Sequence, residues 1–201
     1  MGERWQNNDL VETLTDSIRS DARMHHLSGE RLPDRGVVLQ IIESLRSILF
    51  PGFYTSCDLS EDGIRETVAS TLQGVFEALN SQIARALRYG TSVEAIVDCD
   101  TDATAMGATE AFMQQLPEVR RLLSLDVQAA YDGDPAAIHT DETALCYPGL
   151  RAMTVHRIAH ELYHLAPQLT STPQIPLHMD LPQQVARPLL ARPPIFEFHG
   201  K

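Results

Sequence analysis

The chain has 201 residues, of which 43% are apolar without any long apolar run, so one globular domain with a sizeable core is expected and no membrane-spanning segment. Its formal net charge of -11 would repel phosphate backbones, and its arginines are scattered without a basic stripe, so no nucleic-acid partner is expected. Lysine occurs only at Lys201, which points to coding bias rather than to a binding surface.

The first thirty residues mix Asp, Glu, Arg and Asn and offer no apolar core for a signal peptide, which makes the cytoplasm the expected location. From about Asp9 to Arg23 the spacing predicts a first helix. A second is predicted from Gly36 to Phe50, with Val38, Ile41, Ile42, Leu45 and Leu49 inward and Pro51-Gly52 ending it. Cys57, Cys99 and Cys146 are odd in number and widely spaced, which suits reduced thiols better than a disulfide framework or a C-x-x-C site. Ile64, Val68, Leu72, Val75, Phe76, Leu79, Ile83 and Leu87 trace one stripe over a long helix, entered through Ser60, Glu61 and Asp62 and closed by Gly90.

Two further helices are predicted, from Asp102 to Gln115 and from Glu118 to Tyr131, with Pro117 between them to start a new turn or kink a continuous helix. A last helix begins at Pro148, carries Leu150, Met153, Ile158, Leu162 and Leu165 inward, and stops before Pro167. After Ala166, seven of the 12 prolines fall in a stretch with neither helical nor strand periodicity. The expected class is all-α, with a helical domain over 1–166 and an irregular, disordered proline-rich tail over 167–201.

Three motifs bear on chemistry. Asp98, Asp100 and Asp102 open like a calcium loop, but the sixth position is Ala103 and the twelfth Thr109, so an acidic helix start is the simpler reading. His160-Glu161-Leu162-Tyr163-His164 matches H-E-x-x-H, in which two histidines on one helical face ligate zinc and the glutamate serves as general base. A catalytic zinc also needs a third ligand, and neither the H-x-x-G-x-x-H continuation nor any glutamate before Glu197 supplies one. Packing or capping is therefore preferred for His156, His160 and His164, which sit with Arg157 on the last helix, and a zinc metallopeptidase is kept as the alternative function. Asp132-Gly133-Asp134-Pro135 reads on its spacing as a turn that could hold a carboxylate rigidly.

Four segments go further together: LPEVRRLL from Leu116, DVQAAYDGDPAA from Asp126, YPGLRA from Tyr147 and HRIAHELY from His156. In order and approximate spacing they resemble the helical amino-terminal domain of serine acetyltransferase, strongly from Leu116 and weakly before Val37. The resemblance implies acetyl transfer from acetyl-CoA to the hydroxyl of L-serine, giving O-acetylserine for cysteine biosynthesis. It assigns Asp134 to substrate binding, as the carboxylate presented to the amino acid. The family's catalytic histidine, its supporting carboxylate and the acetyl-CoA groove belong to a parallel β-helix of hexapeptide repeats, and the likeness stops at Tyr163. No catalytic residue, metal ligand or cofactor site is thus expected here. The expectation is a truncated, inactive assembly module that forms homo-oligomers through its helices.

Overall fold

In the computed structural model, residues 7–54, 63–94 and 100–169 are described. The chain divides into two compact units, Met1–Arg31 and Leu32–Lys201. Among the described residues there are six α-helices and no strand.

The first unit holds α1 (Asn8–Ser20) and a 3-10 turn (Ala22–Met24). Asn7 caps α1 by accepting the Leu10 amide at 3.1 Å. The helix stops three residues before Arg23 because Asp21 leaves the helical region, at φ -126°, and its carboxylate caps the following turn through the Arg23 amide. None of α1 is buried: Leu10, Val11, Leu14 and Ile18 form an apolar stripe open to solvent.

The second unit is built on α2 (Arg35–Leu49), α3 (Ile64–Glu94), α4 (Thr101–Gly133), α5 (Thr140–Cys146) and α6 (Pro148–Leu169). Asp34 caps α2 through the Gly36 and Val37 amides, and its own amide donates to Oε1 of the buried Gln82 on α3. The predicted inward residues of α2 are all buried, and Gly52 takes the left-handed φ of +85° that turns the chain away after Phe50. On α3 burial deepens along the helix, from the exposed Ile64 to the buried Val75, Leu79, Ile83 and Leu87. Helix α3 runs on past Gly90 to Glu94, because one glycine costs a helix only about 1 kcal/mol and does not stop it. The expected entry through Ser60, Glu61 and Asp62 lies outside the described residues, as do Cys57, Cys99, Asp98 and 170–201.

Central to the unit is α4, which packs against α3, α5 and α6, while α2 packs against α3 and α6. It is one continuous helix with Pro117 inside it. Pro117 is exposed, while Phe112, Leu116, Val119 and Leu123 keep one buried face across it. Burying each such side chain contributes about 1.5–3 kcal/mol, enough to hold the helix across one missing hydrogen bond. Asp100 caps α4 through the Asp102 and Ala103 amides, as the acidic-start reading expects.

Pro148 opens α6, which buries Leu150, Ile158 and Leu165, half-buries Leu162 and leaves Met153 37% exposed. Thr154 takes the inward place instead, its hydroxyl donating to the Leu150 carbonyl at 2.7 Å. The helix continues through Pro167 to Leu169, past the proline at which it was expected to stop. A polar tie joins α2, α5 and α6. Glu43 pairs with Arg151 at 2.8 Å and Arg46 at 2.5 Å, the buried Arg46 guanidinium lies 4.0 Å from the Tyr54 ring centroid, and the Tyr54 hydroxyl donates to the Ala144 carbonyl.

Candidate functional site

Asp134 stands where α4 ends. Its φ of -116° takes it out of the helix, and its amide still reaches the Tyr131 carbonyl at 3.4 Å. Pro135 follows, the Ala137 amide donates back to the Asp134 carbonyl at 3.0 Å, and Oδ1 accepts the Ala136 amide at 2.9 Å. That side-chain bond two residues forward is the local turn that aspartate favours, and it fixes one carboxylate oxygen.

The other oxygen, Oδ2, accepts the hydroxyl of Tyr147. Tyr147 occupies the junction between α5 and α6, where its amide donates to the Thr143 carbonyl at 3.3 Å and its carbonyl accepts the Leu150 amide at 3.1 Å. Tyr147 is thus anchored on both sides and holds Asp134 from across the loop. The Tyr147 hydrogen bond, then the Ala136 amide, lower the Asp134 pKa from the ordinary carboxylate value. The same bond, followed by desolvation and by the charges of Asp134, Glu142 and Cys146, pushes the Tyr147 phenol up to about 12. The carboxylate therefore stays ionised and only partly exposed, and Glu142, whose charge acts on Tyr147, accepts the Ile138 amide at 3.2 Å. Such a fixed anionic corner suits an ammonium group.

The sequence groups Arg157 with the histidines of α6, but the helix separates them. Arg157 turns inward and forms two bonds with Asp126 of α4, at 2.5 and 2.6 Å, both side chains being largely buried. This bidentate pair locks α6 onto α4 just before the Asp134 loop. Tyr147 and the Asp126–Arg157 pair were not singled out from the sequence; their signal lies in their belonging to three of the four matched segments.

His156, His160 and His164 project from the other, largely exposed face of α6. Nε2 of His160 and Nε2 of His164 lie 3.0 Å apart. Glu161 sits 3.7 Å from Nδ1 of His160, on the side of that ring away from His164, where it cannot act on water held between the two Nε2 atoms. Among the described residues no group of three or more His, Cys, Asp or Glu is placed to hold a metal ion. The geometry gives the zinc-peptidase reading no support. Cys146, in the last turn of α5, is an exposed free thiol. No described helix is both long and apolar enough to cross a membrane.

No family model matches the chain. The Synechococcus elongatus protein named serine acetyltransferase, plasmid, is 37% identical over 167 residues, covering 80% of this chain and 52% of that protein. The serine acetyltransferase of Bacillus subtilis is 49% identical over 43 residues, 21% of this chain and 20% of its own length. Among solved structures, the native serine acetyltransferase 1 of Entamoeba histolytica matches with a TM-score of 0.50 at 22% identity, over 90% of this chain and 58% of that one, a likeness of fold. The chain thus spans about half the length of the relative it matches most extensively here. Sustained identity across the helical region, together with the shared helical fold, shows that the chain belongs to the serine acetyltransferase family through its helical domain.

Proposed function

We propose that this helical domain serves serine O-acetylation, the transfer of an acetyl group from acetyl-CoA to L-serine, as the part that receives the amino acid and assembles subunits. Acetyl transfer itself is assigned to the β-helix half of the family, which residues 1–166 do not resemble. The homology over 167 residues carries this reading. In it, Asp134 offers the serine ammonium a carboxylate held ionised and oriented by Tyr147 and the Ala136 amide. A fixed carboxylate loses little conformational freedom on pairing, which favours recognition of a small zwitterion. Homo-oligomers through the helices form the second part of the proposal. It is supported by the exposed Leu10, Val11, Leu14 and Ile18 of α1, an apolar stripe larger than scattered surface residues would make.

The test is thiol release from acetyl-CoA by the purified chain with and without L-serine, alongside calorimetric titration of L-serine. The expected outcome is no serine-dependent release, with L-serine binding that Asp134→Asn abolishes. Serine-dependent release would overturn the assignment of acetyl transfer to the other half, and serine binding unchanged in Asp134→Asn would overturn the role of that carboxylate.

A further inference from the structure

The exposed face of α6 carries a second arrangement that the serine site does not use. His160 and His164 stand one turn apart with ring centroids 4.2 Å apart and Nε2 atoms 3.0 Å apart, and His156 lies one turn earlier, its ring 5.9 Å from that of His160. Two imidazole nitrogens bound to one metal at roughly 2.0–2.1 Å lie about 3.0 Å apart when the angle at the metal is near a right angle, and about 3.3 Å apart in a tetrahedron. The observed spacing lets both nitrogens reach one ion, and affinity for imidazole ligands rises along the divalent first-row ions to Ni2+ and Cu2+. Right-angled nitrogen coordination is the preference of Cu2+ and Ni2+, whereas a structural or catalytic zinc is tetrahedral.

Glu161 sits on the Nδ1 side of the His160 ring, at 3.7 Å, and leaves Nε2 clear of it. Exposed Nε2 atoms leave the remaining coordination positions to water, so the site needs no third protein ligand. Without an ion, one proton shared between the two Nε2 atoms accounts for the same distance.

We propose that His160 and His164 form a two-point chelate for a tetragonal divalent transition-metal ion, Cu2+ or Ni2+, clipping one turn of α6 to the next near the helix's carboxyl end. The inference is independent of the serine site. It makes the last turns of α6, which run on through Pro167, more persistent when the ion is bound, because a cross-link between residues four apart holds one helical turn closed.

The experiment titrates the full chain with Ni2+ and then Cu2+ by calorimetry, for the natural protein and for His160→Gln, His164→Gln and, as a control on a different exposed histidine, His139→Gln. One ion per chain is expected in the natural protein and in His139→Gln, with that binding lost in each of the other two variants. Hydrogen exchange of the α6 amides beyond His160 is expected to slow with Ni2+ only where binding persists. Since both histidines are exposed, circular dichroism of each variant is expected to match the natural protein, so a loss of binding reads as a loss of ligand. Absence of Ni2+ binding by the natural protein would overturn the proposal, as would equal binding by His160→Gln or His164→Gln, since the ion would then be held elsewhere.

Discussion

Tyr147 and Asp134 are thirteen residues apart, yet a single hydrogen bond between them moves both titrations, and that bond can be read by pH. Asp134 has its pKa lowered by folding, so its contribution to stability is present above the ordinary carboxylate range and is lost as pH falls through the depressed folded value. Tyr147 has its pKa raised, so its contribution is complete below the ordinary phenol value of 10.0 and is lost as pH climbs toward about 12. Tyr147→Phe is expected to return the Asp134 titration, followed by carboxyl NMR, toward the ordinary range, keeping only the part owed to the Ala136 amide. Asp134→Asn is expected to bring one phenol titration, followed by phenolate absorbance, down from about 12 toward 10. No movement in either would mean that the bond is absent in solution. Asp134 was legible in the sequence as a turn carboxylate and, by resemblance, as a ligand. Its partner was not, because the meeting depends on where α5 and the start of α6 bring Tyr147.

At the scale of elements, most departures from sequence-based expectation concern punctuation. Helix α2 buries the face that its periodicity marks, and α6 does so apart from Met153, whose inward place Thr154 takes. Gly90 and Pro167 read as stops, but neither ends its helix; Pro117, read as a new start or a kink, lies inside one continuous helix, where its local penalty of roughly 3 kcal/mol is outweighed by the buried face on both sides of it. Pro117 offers the cleanest test because it is exposed and removes only its own amide donor to the Met113 carbonyl. Pro117→Ala is expected to stabilise the fold by about 1–3 kcal/mol, less what the proline contributes by stiffening the unfolded chain. Urea denaturation reads this directly, and a loss of stability would show that the ring packs usefully where it borders the groove beside Leu49 and Phe50. Helix α5 went unread because its seven residues are too few to display a period and its start at His139 has no side-chain cap.

At the scale of the whole molecule, the proposed assembly rests on α1, whose apolar stripe is open to solvent. Leu14→Glu combined with Ile18→Glu is expected to lower the mass measured by sedimentation while leaving the helical circular dichroism unchanged. An unchanged mass would place any self-association elsewhere. The sequence by itself determined the all-helical class, the inward residues of α2 and most of those of α6, and the family, because periodicity and local motifs are properties of neighbouring residues. Only the tertiary structure decided which residues of α6 serve packing and which face water. Arg157 turns to Asp126 and the histidines turn away, a division fixed by the position of α4 rather than by any feature of HRIAHELY alone. The pairing of Asp134 with Tyr147 and the tie from Arg151 through Glu43, Arg46 and Tyr54 to Ala144 are likewise contacts between distant segments. Their energies depend on distance and burial, which no single stretch of sequence contains.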